Sequence, residues 1–172
     1  MLIFFDFDGT LSAPRFPAPD SSRAEFVCGL TEDGWKNYYE EKKEHTFDYC
    51  LPVGPVRRYA MKKKKEGHRL FVLTRTASER EDAGKEAFLE KHYQGIFERY
   101  LSVRHDSEKI PVIRSMAETL GVPDNQCELV EDTYMLVLQA LSEGMIGTHV
   151  SNIVAEEEGD VCSGKSDSSA VI

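Results

Sequence analysis

The chain opens Met1-Leu2-Ile3-Phe4-Phe5-Asp6-Phe7-Asp8-Gly9-Thr10, and this stretch decides its architecture. Four apolar residues running straight into a carboxylate read as a short strand buried on both faces, the pattern of a parallel sheet's centre. In an extended turn Asp6 and Asp8 point to the same side, and Gly9 lets the backbone bend close to a bound anion. Two carboxylates this close repel unless a cation or a shared proton lies between them. A hard cation such as Mg²⁺ suits oxygen ligands and binds through one or two carboxylates plus a substrate phosphate. Taken alone, Asp-x-Asp-Gly is also what a plain strand-ending turn looks like, because Asp and Gly are common turn residues.

Downstream, apolar runs alternate with helical patterns. A helix is expected over 53–66, where Val56, Tyr59, Ala60 and the stem of Lys63 repeat at helical spacing and Gly67 stands at the C-terminal turn. Arg69 to Leu73 reads as a second strand, followed by Thr74-Arg75-Thr76. Ser78 with Glu79, Glu81 and Asp82 marks the start of a helix reaching about His92. Tyr100 to Val103 is a third strand, and Ser107 is placed to cap a helix ending at Gly121-Val122-Pro123. Glu128 to Val130, a helix from Tyr134 to Ser142, and a strand from Met145 to Val150 complete the series. This alternation predicts an α/β fold: a Rossmann-like, doubly wound parallel sheet of about five strands with helices on both faces. Ligands of such sheets bind outside the carboxyl ends of the strands, so chemistry is expected just after Phe5, Leu73, Val103 and Val130.

The 172 residues fit one domain with its own core. Residues 1–154 are read as that core. Within it, 11–50 form a small insertion or lid, with Pro14, Pro17 and Pro19 and then Trp35, Tyr38 and Tyr39 on one side of a helix. Residues 155–172 hold five acids against Lys165, a local charge of -4, and read as a disordered tail. The net charge of -9 argues against duplex nucleic acid as a partner. The run Lys62-Lys63-Lys64-Lys65 reads as a solvated helix face. No apolar stretch approaches a membrane span, and the first carboxylate comes too early for a signal peptide. Cys28, Cys50, Cys127 and Cys162 are scattered, as thiols of a reducing compartment are. A soluble, cytoplasmic protein is expected, with its oligomeric state left open.

Three further groups fall at the predicted sheet edge. Thr74, with Arg75 beside it, offers a hydroxyl and backbone N–H groups after the second strand. Lys109 lies near the start of the helix after the third strand, where it can hold a phosphate and screen a carboxylate. Glu131-Asp132 follows the fourth strand. Each alone is an ordinary surface or capping residue; four coincidences in order along one edge are not.

Here the sequence resembles the haloacid dehalogenase-like hydrolase superfamily over roughly residues 1–150. Asp6-Phe7-Asp8-Gly9-Thr10 is similar to its first motif, Thr74 to the second, Lys109 to the third and Glu131-Asp132 to the fourth. The resemblance implies a phosphatase in which Asp6 attacks phosphorus and Asp8 is general acid and then base. Thr74, Arg75 and Lys109 would hold phosphoryl oxygens, with Gly9 and Thr10 shaping the loop. Mg²⁺ would be held by Asp6, the Asp8 carbonyl and Asp132, with Glu131 close by. An Asp two residues after the nucleophile suits an oxygen leaving group that needs a proton, so the dehalogenase, phosphonatase and ion-pump branches are disfavoured. Many members carry Asp or Gly where this chain has Leu136. Arg104 is the alternative to Lys109. The insertion is too small for a full cap, so an open site is expected, taking a small phosphorylated metabolite or a nucleotide. Alternatives are a phosphomutase, a catalytically silent relative that binds phosphate or a partner, and a phosphoacceptor signalling domain, whose acids would come first in the chain. The histidines show no ligand spacing; His105, near the carboxyl end of the third strand, is the one expected to come nearest a substrate.

Overall fold

The computed structural model describes residues 1–14, 47 and 50–163. Five parallel strands form the sheet: β1 (Leu2–Phe5), β4 (Arg69–Arg75), β5 (Arg99–Val103), β6 (Cys127–Glu131) and β7 (Ile146–His149), in the order β5-β4-β1-β6-β7. β2 (Ser12–Pro14) and β3 (Cys50–Pro52) pair antiparallel beside it. The helices are α1 (Gly54–Lys65), α2 (Glu79–His92), α3 (Lys109–Thr119), α4 (Tyr134–Ser142) and α5 (Val150–Ser163).

β1 is buried throughout and alternates between two cores. Ile3 and Phe5 join Val56, Ala60, Val72, Phe88 and Ile153 on one face; Leu2 and Phe4 join Leu73, Ile113, Leu129 and Ala140 on the other. This double burial is why the strand reads as an unbroken apolar run. Each such side chain contributes on the order of 2 kcal/mol on leaving water. The winding runs outward from β1 through β4 to β5, then returns to β6 on β1's other side. The order of strands therefore reverses between β1 and β6, and the carboxyl ends of these two strands face a shared crevice.

The sequence-derived elements return with small shifts at their ends. Ser78 caps α2, its Oγ accepting from Glu81 N at 3.2 Å, while Glu81 Oε2 accepts from Ala77 N at 2.7 Å. This is a reciprocal capping arrangement of the Ser-x-x-Glu kind. Ser107 does not cap its helix. It lies inside a short 3₁₀ turn, Asp106–Glu108, that runs directly into α3, and Glu108 Oε2 accepts from Arg104 N at 3.0 Å to close that turn. Val150 belongs to α5 rather than to the last strand. That helix continues to Ser163, past the boundary expected at 155, because Ile153 is buried against α1 and Glu157 pairs with Arg58. Residues 164–172 lie outside the described residues, as do Trp35, Tyr38, Tyr39 and most of the insertion. Phe47, near the insertion's end, packs edge-on against Phe7 at 5.2 Å.

Lys62 to Lys65 form the last turn of α1. The Lys64 ammonium caps the backbone carbonyls of Gly95 and Ile96 and so ties the helix end to the loop before β5. Neither Cys50 nor Cys127 forms a disulfide among the described residues. Among the described residues no helix is long and apolar enough to cross a membrane.

Candidate active site

Asp6 sits one residue past the end of β1, its N–H bonded to Val130 O of β6 at 2.9 Å. The chain then turns sharply: Leu11 N and Ser12 N both donate to Phe7 O at 2.9 Å, and Gly9 N donates to Ser12 O. Tyr93 OH donates to Leu11 O at 2.6 Å and fixes the far side of the turn. Gly9 has φ +74°, a conformation costly for any residue with a Cβ. Its missing side chain also makes room, since a Cβ there would lie 2.0 Å from Asp132 Oδ2. The loop from β1 and the loop from β6 can close on each other only at a glycine.

Lys109 is the second fixed point. The 3₁₀ turn before α3 swings it inward, where it is 2% exposed. Its Nζ lies 2.8 Å from Asp6 Oδ1, 2.9 Å from Glu131 Oε2 and 3.4 Å from Asp106 Oδ1. Burial would strip its proton, but the charges of Asp6 and Glu131 outweigh that and hold the ammonium well above the usual lysine range. The same Lys109 does not suffice for Asp6: burial, joined by the charges of Glu131 and Asp8, pushes that carboxyl up to about 7. Glu131 and Asp132 are also raised, burial first among the causes. Three carboxylates, those of Asp6, Glu131 and Asp132, offer oxygens within 4.8 Å of one another. Against one ammonium they leave two negative charges, with two of the three acids buried. A hard dication answers both features, the all-oxygen donor set and the uncompensated charge. The residues therefore fit Mg²⁺.

The carboxylate of Asp8 is not among these three. One oxygen, Oδ2, lies 2.6 Å from Lys85 Nζ, and half of the side chain is exposed. Thr74, fully buried at the end of β4, accepts from the same Lys85 at 3.1 Å and donates to Arg75 O at 3.2 Å. Arg75 projects outward, 3.9 Å from Asp106. Thr10 is buried, and its hydroxyl has no hydrogen-bond partner among the described residues. Arg104 is held elsewhere, its Nη1 donating to Thr76 O and Thr76 Oγ1, so the position beside Asp6 belongs to Lys109.

No family model matches the sequence, and no curated protein matches it. Solved structures do. A Thermotoga maritima protein assigned as a β-phosphoglucomutase superposes with a TM-score of 0.60 at 17% identity, over 86% of this chain and 83% of that one. A Geobacter sulfurreducens haloacid dehalogenase-superfamily hydrolase of subfamily IA gives 0.55 at 14%, covering 84% and 83%. A phosphatase domain from Bacteroides fragilis, solved in complex with Mg, gives 0.51 at 13%, covering 86% of this chain and 35% of its own. The fold is that of the haloacid dehalogenase-like hydrolases.

Within that haloacid dehalogenase-like frame, Asp6, Lys109, Glu131 and Asp132 come together at the sheet edge, while Thr74 at the end of β4 is linked to Asp8 through Lys85 and Arg75 lies near Asp106. Leu136, the departure noted in the sequence, lies on α4 itself and is buried in the core. Two residues escaped the sequence reading. His149 Nε2 lies 2.8 Å from Asp132 O, its other ring nitrogen 2.7 Å from Ser151 Oγ. Lys85 is wholly buried between Asp8 and Thr74. In the sequence it is the i+4 partner of Glu81, the signature of a solvated helix pair. Its position three residues before the buried Phe88, on the same helix face, is the signal that was available.

Proposed function

We propose that this chain is a Mg²⁺-dependent phosphomonoester hydrolase working through an aspartyl-phosphate on Asp6. The observation that carries the reading is a buried Asp6 clamped by Lys109 at the strand-order reversal, with a half-exposed Asp8 two residues on. An Asp6 carboxylate oxygen attacks phosphorus, and the bond from phosphorus to the ester oxygen breaks. Asp8 gives its proton to the departing alkoxide. Water then attacks the phosphorus of the aspartyl-phosphate while Asp8 takes its proton, and phosphate leaves with Asp6 restored. Lys109 and the Thr74 hydroxyl stabilise the phosphoryl oxygens in transit, with Arg75 at the outer rim. Mg²⁺, held by Asp6, Asp132 and the Asp8 carbonyl with Glu131 beside them, would neutralise charge on the transferring group. The Mg complex of the Bacteroides fragilis phosphatase domain is in keeping with that choice of ion.

The substrate class is a small phosphorylated metabolite or nucleotide, and the reading carries the expectation of a cytoplasmic protein. The deciding experiment is phosphate release from an aryl phosphate, with Mg²⁺ or with EDTA, by the wild type and Asp6→Asn. Release that needs both Mg²⁺ and Asp6 is the expected result; full turnover by Asp6→Asn would end the proposal. Leu136 motivates a second reading, a relative that binds phosphorylated ligands without turnover. Binding of a phosphate analogue with no release from any ester would favour it.

A further inference from the structure

The geometry points to Lys85 as the residue that positions the acid–base carboxylate of Asp8, an inference that rests on the phosphatase reading above. A wholly buried ammonium is costly unless its charge is paired and its N–H bonds are used. Lys85 meets both conditions, and Glu81 keeps its charge paired when Asp8 is protonated to act as the acid. Its Nζ lies 2.6 Å from Asp8 Oδ2, 2.7 Å from Arg75 O, 3.0 Å from Glu81 Oε1 and 3.1 Å from Thr74 Oγ1, and 5.3 Å from the centre of the Phe7 ring. These partners come from the turn after β1, the end of β4 and the first turn of α2. One side chain therefore ties the acid–base loop to the strand that carries Thr74.

The helix is built to place it. The reciprocal cap at Ser78 and Glu81 fixes the first turn of α2, and Glu81 reaches Lys85 one turn later. Gly84, the neighbouring residue, brings the helix close to the core: a Cβ there would meet the Phe47 ring at 2.8 Å. Lys85 is thus delivered at a fixed depth, with no freedom to retreat into solvent.

Two consequences follow for the chemistry. Asp8 is held by one oxygen while half its side chain stays exposed, so the carboxyl is anchored yet open toward an incoming ester. Lysine donates and never accepts. Thr74 Oγ1 must therefore accept from Lys85, and its own proton is left for Arg75 O or for a phosphoryl oxygen. The first effect concerns the leaving group alone; the second concerns the phosphoryl group common to every substrate.

Leaving-group dependence separates this role from a purely structural one. The experiment compares kcat/KM for 4-nitrophenyl phosphate, whose leaving group needs no proton, with that for simple alkyl phosphates, whose alkoxides do. It uses wild type, Lys85→Met, Lys85→Gln, Asp8→Asn, the Lys85→Met/Asp8→Asn double variant and Asp6→Asn, with thermal melts to establish folding. Loss of acid–base assistance is typically a factor of about 10²–10⁴. Lys85→Met is expected to lose about 10²-fold or more on alkyl phosphates and less than about 10-fold on the aryl ester, matching the pattern of Asp8→Asn. Added to Asp8→Asn, it is expected to cost nothing further that depends on the leaving group. Lys85→Gln, which keeps a donor and much of the volume, carries the same test should the Met variant not fold. An equal loss on all esters, losses that multiply in the double variant, or no loss would overturn the inference while leaving an active, Asp6-dependent wild type. A wild type without turnover, or an Asp6→Asn variant as active as wild type, would instead bring down the phosphatase reading and this inference with it.

Discussion

Replacing Gly9 with alanine tests how the site is closed. Two costs can be read from the structure. With φ at +74°, a Cβ imposes left-handed strain of about 1–2 kcal/mol. For a domain of this size that lowers Tm by roughly 2–8 °C. The second cost is local: the new methyl would stand 2.0 Å from Asp132 Oδ2, well inside contact distance, so the carboxylate must move by more than about 1 Å. Asp132 is one of three acids converging on the candidate metal position. Displacing a group that supports or supplies a ligand typically costs about 10–100-fold in metal affinity. Gly9→Ala is therefore expected to raise the Mg²⁺ concentration for half-maximal phosphate release by about that factor. Gly121→Ala is the control, since Gly121 has φ +66° but nothing within 4 Å of a built Cβ. It carries the backbone strain without the collision, and its Mg²⁺ titration is expected to match wild type. The same Mg²⁺ dependence in both variants would refute the claim that Gly9 exists to admit Asp132.

Two further perturbations exploit the acid surplus. In EDTA, Asp6→Asn is expected to melt above wild type at about pH 8, because it removes a buried acid whose folded pKa is raised to about 7. A raised folded pKa means the group's contribution is fully present below its unfolded value and is lost as pH rises through about 7, so the advantage shrinks toward about pH 4; melts across that range check it. Lys109→Met leaves Asp6 and Glu131 without their buried partner, with an expected cost of about 3–5 kcal/mol near neutral pH. That deficit is expected to narrow on acidification as both acids take up protons. On the proposed mechanism, in which the lysine also stabilises the transferring group, turnover is expected to fall by about 10²–10³.

The loop from Asp6 to Gly9 was legible because its information is local: a doubly buried strand, two acids and a glycine lie within nine residues. Lys109 and Glu131-Asp132 were legible because strand and helix ends could be placed to within a residue or two, and parallel winding puts every carboxyl end on one edge. Lys85 was not, since helix spacing alone cannot tell a solvated Glu81–Lys85 pair from one sealed over a core. What decides is tertiary: Gly84 against Phe47, and Asp8 arriving from another strand. Ser107 misled because a serine near a helix start is a good cap only if the backbone enters extended, whereas here a 3₁₀ turn precedes α3. The acidic composition after 155 suggested a tail, yet Ile153 and the Arg58–Glu157 pair extend a helix into it.

Asp6 hangs from the central strand, paired along its length to β4 on one side and β6 on the other. Peripheral segments of a protein fray cheaply, whereas its innermost ladder opens only with the whole domain. The chemical centre is thus placed where local breathing is most strongly suppressed. Loosening that reaches Asp6 is cooperative loss of the domain itself, so the molecule has no easy intermediate state that keeps its shape but has lost the placement of this carboxylate.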